Sequence, residues 1–424
     1  MAFPNLVLSN KKGGLMVHPR LKMMGRDAQG FVRLRPEEVI ALPWGSTFYY
    51  LPARTAVGWD EDSCAPARVA EFGGEEVFPV AAFMVPGFTR LYLPAAQKTL
   101  NAPVLPLWPY AAAGYSRGKF YVAGLKVDAL RRQDPRFYRQ FSLIRKNIAK
   151  LTKEYPENRL FKHLSYCALT YNCRNAQNLF LNRWEAPLPV SPICNARCLG
   201  CLSFQGPKDA TASHERIRFV PTADEVCEVG VAHLKKAKAP IVSFGQGCEG
   251  EPLLQFNILK GSILRMRRAT KRGTIHLNTN GCDPLALREL AAAGLDSVRI
   301  SVTSFLSESY RAYYRPRGYV FEDVRTSIKA ARKSGLFVSL NYLVFPGASD
   351  GVSQVRALVR FLKKGYVDLL QLRNLSIDPD FFESRMPPLG GRPLGVLEMI
   401  TLIREECPKL RMGYFNPPKE NFML

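Results

Sequence analysis

Three cysteines fall within eight residues in Cys194-Asn195-Ala196-Arg197-Cys198-Leu199-Gly200-Cys201, separated by three and then two residues. Thiolates are soft ligands suited to iron–sulfur clusters, zinc or copper(I). This spacing lets one tight loop turn three sulfurs toward a common centre. Structural zinc wants a fourth protein ligand, and the nearest is His214, thirteen residues on. Three thiolates alone suit a cubane cluster with one iron left open. An open iron binds a small molecule, which is a catalytic rather than a structural arrangement. Three unrelated buried thiols would be the plain structural alternative.

The other cysteines carry weaker signals. Cys248 and Cys282 each follow a strand-like run; they either ligate an auxiliary cluster or relay a radical or methyl group, or they pack as small buried hydrophobes. Cys167 and Cys173 have C-x5-C spacing, and after Asp378 there is only Cys407, so no clustered pairs of a second cluster domain are evident.

The elements that must position the cysteine loop begin at about Ala186. From there short runs rich in Val, Ile, Leu and Phe alternate with helical patterns: Pro240–Phe244, Thr274–Asn278, Ser297–Val302, Phe337–Val344 and Leu369–Leu375, plus one strand before Cys194. Thr222-Ala223-Asp224-Glu225 is a capping-box start; Asp350 is the expected cap, and Gly365 the stop, of a helix ending near Lys364. About six βα units predict a parallel sheet or partial (β/α)6 barrel over residues 186–385, with a C-terminal extension at 386–424. In such a barrel, residues at the carboxyl ends of strands face the active site.

Residues 1–125 read differently. Short β-type runs such as Phe31–Leu34, Thr47–Leu51, Val80–Val85 and Lys119–Val122 are broken by Pro and Gly, which predicts a mainly β accessory domain with no chemical motif. A helical connector is expected at 126–185, with Phe137, Phe141, Leu143, Ile144, Ile148 and Leu151 at helical spacing.

The chain has 424 residues, with 59 Lys and Arg against 36 Asp and Glu, a net charge of +23. With 47% hydrophobic residues, disorder as the main state is excluded. The charge suggests an anionic partner, either RNA or a phosphorylated molecule, or else a solvated basic surface. Lys235, Lys236, Lys238, Arg265, Arg267, Arg268, Lys271, Arg272, Lys363 and Lys364 should sit at helix ends away from the site and complement helix dipoles. Arg311, Arg315, Arg317 and Arg373 should lie on the site's side, to contact an anion or form salt bridges with Glu308, Glu322 or Asp323. His276 and Tyr342 read as core residues. The start Met-Ala-Phe-Pro-Asn-Leu lacks a secretory leader, and Pro103, Pro106 and Pro109 break the longest uncharged stretch, so no membrane span and a cytoplasmic location are expected.

The C-x3-C-x2-C loop after the first strand of a βα run resembles the signature of the radical SAM enzymes. The likeness extends to Gly250-Glu251-Pro252 after the second strand, similar to the family's GGEP element; to Thr279-Asn280-Gly281 after the third, like its TNG turn; and to Ser301 in the fourth. The resemblance implies a 4Fe-4S cluster on Cys194, Cys198 and Cys201, with S-adenosylmethionine held by Gly250, Glu251, Pro252, Thr279, Asn280 and Ser301. It also implies a 5′-deoxyadenosyl radical that abstracts hydrogen, and a reductant such as flavodoxin or ferredoxin. The family usually has Gly where this chain has Glu249, and often an aromatic where it has Gly200. No catalytic acid or base is singled out. The competing class is a non-enzymatic zinc- or iron–sulfur-stabilised nucleic-acid-binding protein.

Overall fold

The computed structural model describes residues 2–105, 109–130, 132–205, 211–388 and 391–423; Pro106 lies outside the described residues. Its centre is a sheet of seven strands in chain order: Arg183–Pro187, Lys238–Phe244, Thr274–Thr279, Ser297–Val302, Phe337–Val344, Leu369–Asn374 and Arg411–Gly413. Every neighbouring pair is parallel. Helices cross over between successive strands, so the sheet curls into an open barrel with its loops gathered at the carboxyl ends. The expected partial barrel is therefore present. Its seventh strand lies within the expected C-terminal extension, where Arg-Met-Gly is too short to show a period.

The two faces of the sheet differ in composition. Ile300, Val302, Leu340, Tyr342 and Leu372 point outward and are fully buried against the helices. The alternate positions Arg299, Ser301, Ser339, Asn341, Gln371 and Arg373 point into the concave lumen. The Tyr342 hydroxyl donates to the Ser349 carbonyl at 2.9 Å. His276 contacts Ser297 Oγ and Asn278 Oδ1 at 2.7 and 3.0 Å, a satisfied core residue as expected.

Local chemistry sets the helix ends. Thr222 and Glu225 form the expected capping box of helix Ala223–Lys236. Asp350 does not cap the next-to-last barrel helix. That helix, Val352–Leu362, starts from Gly351, and the Asp350 carboxylate instead accepts from the Gly347 N–H at 2.7 Å, tightening the preceding turn. Lys235, Lys236, Arg267 and Arg268 stand in last turns, as dipole complementarity predicts. Arg272 donates to the Ala237 carbonyl at 2.7 Å, and Arg267 and Lys363 pair with Asp296 and Glu406.

The N-terminal part is β-rich. The runs read from sequence appear as strands Gly30–Val32, Thr47–Tyr50, Phe78–Phe83 and Lys119–Lys126, and an eleven-stranded antiparallel sheet dominates. Helices Phe141–Glu154, Arg159–Leu169 and Arg174–Phe180 follow. The apolar spacing over 137–151 is only partly a packing stripe. Phe137 sits in a short 3-10 turn, Phe141 and Leu143 are exposed, and Ile144 is fully buried. Among the described residues no helix is long and apolar enough to cross a membrane.

The β-rich part is docked on the barrel by buried polar contacts. Thr89 Oγ1 donates to the Leu372 carbonyl and Arg90 Nη2 to the Leu375 carbonyl, at 2.9 and 2.7 Å. Arg54 pairs with Asp378 at 2.7 Å with both side chains essentially inaccessible. Removing one partner strands a buried charge, so Arg54→Ala should cost about 3–5 kcal/mol in denaturant unfolding; an unchanged midpoint would show that the pair does not hold the two parts together.

Candidate active site

The first strand ends at Pro187, and the chain then enters the cysteine loop. That loop is fixed from two sides. From the second strand's loop, Gly250 N–H donates to the Ser191 carbonyl and Glu251 N–H to the Ile193 carbonyl, at 2.7 and 2.8 Å. The Glu249 carboxylate accepts from Val190 and Ser191 N–H on one oxygen, and from Gly245 and Gln246 N–H on the other. Burial pushes this carboxyl up to about 8, and the four donors oppose that by favouring the anion. The departure from the family's usual Gly thus has a structural reason: Glu249 joins the two loops.

From the other side the helix Ser307–Tyr314 braces the loop. Arg197 N–H donates to the Tyr314 carbonyl and Leu199 N–H to the Tyr313 carbonyl, at 2.9 and 3.0 Å. Arg317 N–H donates to the Asn195 carbonyl at 2.8 Å, and Arg315 Nε to the Arg197 carbonyl. A Cβ at Gly200 would stand 2.9 Å from the Tyr313 hydroxyl, so this position packs closely on that phenol and leaves little room for a side chain. Arg315 is thus spent on bracing, and Arg311 is exposed.

The three cysteines lie in this cradle close enough to influence one another electrostatically. Cys201 N–H donates to the Cys198 carbonyl at 3.3 Å, the tight turn that the spacing implied. Burial pushes the Cys194 thiol up to about 11, and Cys198 is raised by burial and then by Cys201 and Cys194. A metal cluster is what would turn the buried Cys194 and Cys198 thiols into ligands. Arg216 Nη2 donates to Cys201 Sγ at 3.4 Å, a nearby positive charge with no sequence signal. His214 is not placed as a fourth ligand: its Nε2 contacts the Gly247 carbonyl and its Nδ1 the Ser213 hydroxyl, at 2.8 and 2.9 Å. Among the described residues, no three His, Cys, Asp or Glu stand close enough for a single metal ion. With His214 engaged elsewhere, the loop offers three thiols and no fourth protein ligand from that histidine.

Beside the thiols, Glu251 is buried at the start of the turn Pro252–Gln255 and accepts from Leu253 N–H at 3.1 Å. Its oxygens also accept from Thr279 Oγ1 at 2.5 Å and Asn280 N–H at 2.8 Å. Burial pushes the carboxyl up to about 7, with Thr279 and Asn280 opposing. Asn280 Nδ2 in turn donates to Asn195 Oδ1 at 2.7 Å, which ties the third strand to the cysteine loop. Asn195 was missed in the sequence because its role depends on that cross-loop partner. Ser301 stands apart in the lumen, accepting from Asn341 Nδ2 at 3.3 Å. Cys282 is near Asn195 and Glu251, whereas Cys248 lies near Cys173 and Cys167.

Residues 188–362 match the radical SAM superfamily model. The chain is 31% identical over 163 residues to GTP 3′,8-cyclase of Heliobacterium modesticaldum, covering 38% of this chain and 46% of that protein. It is 25% identical over 259 residues to GTP 3′,8-cyclase of Rhizobium etli, covering 55% and 68%. It spans about half the length of the first of these curated relatives. Among solved structures it is similar to methylornithine synthase, at 15% identity and a TM-score of 0.37 over 56% of this chain and 67% of that one. A hydrogenase maturase from Carboxydothermus hydrogenoformans gives 13% and 0.38 over 64% and 69%.

The loop contacts predict a specific sensitivity. A Cβ at Gly250 would stand 1.8 Å from the Ile193 carbonyl oxygen, a backbone atom that cannot step aside alone. Gly250→Ala should lower stability by about 1–3 kcal/mol or more, read as a fall in the urea midpoint; an unchanged midpoint would contradict this packing.

Proposed function

We propose that this chain, which belongs to the radical SAM superfamily through residues 188–362, is an enzyme that cleaves S-adenosylmethionine reductively. Cys194, Cys198 and Cys201 would hold the 4Fe-4S cluster. Glu251 would accept from the methionine amino group, with Gly250 and Pro252 setting its loop. Thr279 and Asn280, which hydrogen-bond Glu251, would help hold the ligand through it, and Ser301 would serve its carboxylate or ribose. When bound, the two cofactors supply a 5′-deoxyadenosyl radical that abstracts hydrogen from the substrate. The single observation that carries this reading is the three-thiol loop tied to the Glu251 turn by backbone hydrogen bonds.

The substrate in this reading is a phosphorylated small molecule rather than RNA. The relatives named GTP 3′,8-cyclase act on a nucleotide, which supports the class and not the identity. A flavodoxin- or ferredoxin-like reductant would supply the electron. The protein's part is to fix the loops and to keep water from the reacting atoms.

The test is anaerobic purification followed by reduction with dithionite. The wild-type chain should carry an iron–sulfur cluster and release 5′-deoxyadenosine from S-adenosylmethionine. Cys194→Ser, Cys198→Ser and Cys201→Ser should each lose both. A colourless chain with one tight zinc, inert toward S-adenosylmethionine, would overturn the proposal.

Glu251 gives a pH test. With the carboxyl at about 7, only its ionised form accepts from an amino group. Affinity for S-adenosylmethionine should therefore rise as pH climbs from 5.5 toward 7, by up to about tenfold per unit. Glu251→Gln should weaken binding and flatten the profile. A pH-independent wild-type affinity in equilibrium dialysis would remove Glu251 from this role.

A further inference from the structure

The barrel lumen is polar, partly open and positively charged. Glu185, Ser301, Asn341, Leu343 and Arg373 keep partial exposure although they point into the barrel, while outward-facing Ala186, Ile300, Val302, Leu340, Tyr342 and Leu372 are fully buried. Arg299, Ser339 and Gln371 in the same lumen are buried, so the open space lies beside the partly exposed residues. The open side between the first and seventh strands is closed by the chain's own tail: Asn416 Nδ2 donates to Glu185 Oε1 at 2.9 Å and Gln371 Nε2 to Asn416 Oδ1 at 2.8 Å. Tyr414 and Phe415 N–H groups are held by Asp128. With its side plugged, the lumen opens at the carboxyl ends of the strands, where the thiol loop and Glu251 sit.

Two guanidiniums enter this space from different walls. Arg299, on the fourth strand, is 8% exposed and donates from Nη1 to Gln371 Oε1 at 3.0 Å. Arg373, on the sixth, donates from Nη2 to the Tyr414 carbonyl at 2.8 Å and lies over the Tyr414 ring at 4.5 Å. Among the described residues neither makes a salt bridge, and the Nε of each is buried without a partner. They repel each other, and Glu185 is the carboxylate nearest to balancing Arg299. Two like charges facing one cavity, with neutral partners for their hydrogen bonds, repel each other and favour an anion between them.

We propose that Arg299 and Arg373 grip the phosphate group of a small-molecule substrate inside the lumen. This rests on the radical SAM reading and names the substrate class for that site. A single guanidinium matches a planar carboxylate edge to edge. Two guanidiniums from separate strands instead suit a tetrahedral anion whose oxygens point in several directions. The enclosure, walled by the tail, excludes a polynucleotide duplex. A phosphate held at Arg299 leaves the rest of the substrate to extend toward Ser301 and Asn341, and so toward the cluster end of the barrel. Of the four arginines that the sequence order offered for an anion, Arg311, Arg315, Arg317 and Arg373, this site takes Arg373 and adds Arg299.

The test is isothermal titration of the purified full chain with inorganic pyrophosphate and, separately, with acetate. Pyrophosphate should bind saturably and acetate at least about tenfold more weakly, reflecting the lost charge-assisted hydrogen bonds. Arg299→Gln and Arg373→Gln should each weaken pyrophosphate by about tenfold or more, with circular dichroism and melting temperature reporting the fold. Arg373 is only half-buried, so its variant keeps the test alive if Arg299→Gln fails to fold. Arg311→Gln, on the exposed helix face, should leave the affinity as it is. Equal affinities for wild type and both lumen variants would overturn the proposal, as would equal binding of acetate and pyrophosphate. Release of 5′-deoxyadenosine by the wild type is scored separately. A chain that cleaves S-adenosylmethionine but fails these titrations refutes the phosphate site alone; one that binds pyrophosphate but never cleaves refutes the enzyme reading alone.

Discussion

Four backbone N–H groups from two different loops converge on the buried carboxylate of Glu249, and the rest of the site depends on that convergence. A loop with three thiols cannot hold a geometry by itself: its backbone donors would otherwise go to water and its cysteines would sample many turns. Glu249 takes the donors of residues 190 and 191 and those of 245 and 246 at once. The thiol loop therefore moves only when the second strand's loop moves with it. The Glu251 turn that follows is then locked to the third strand through Thr279 and Asn280, and Asn280 returns to the thiol loop through Asn195. The result is a closed ring of contacts around the place where a cluster and its ligand would meet.

Some of this was legible in the residues and some was not. Cysteine spacing, the Gly-Glu-Pro and Thr-Asn-Gly turns and the βα alternation are local, and local patterns survive in a linear reading. The Thr222–Glu225 capping box is a case where two residues and their reciprocal hydrogen bonds suffice. Asp350 shows the limit: a carboxylate before a helix looks like a cap, but the backbone turn at Gly347 offers it a nearer donor. The seventh strand is three residues long and pairs only through long-range register. Arg299 sits in an apolar run and betrays its direction only once the pleat is known. Glu249 stood out as a departure from the family pattern, while its reason lay sixty residues upstream.

The large positive charge also resolves into parts. Some cations stand at helix ends or pair with acids on neighbouring helices and loops, a structural use that needs no ligand. Arg315 braces the thiol loop and Arg54 and Arg90 dock the β-rich part. That part and the C-terminal tail together wall the barrel, which links regions with no chemical motif to the environment of the lumen. Composition alone therefore does not say which of these uses a given cation serves.

The account's central claim is that three sulfurs hold a cluster whose remaining iron is open to a small ligand. The most direct measurement is the electron paramagnetic resonance spectrum of the reduced, cluster-loaded chain before and after S-adenosylmethionine is added. The account predicts a distinct shift of the cluster signal, since the ligand reaches the iron itself. A cluster signal that is identical with and without S-adenosylmethionine would contradict it.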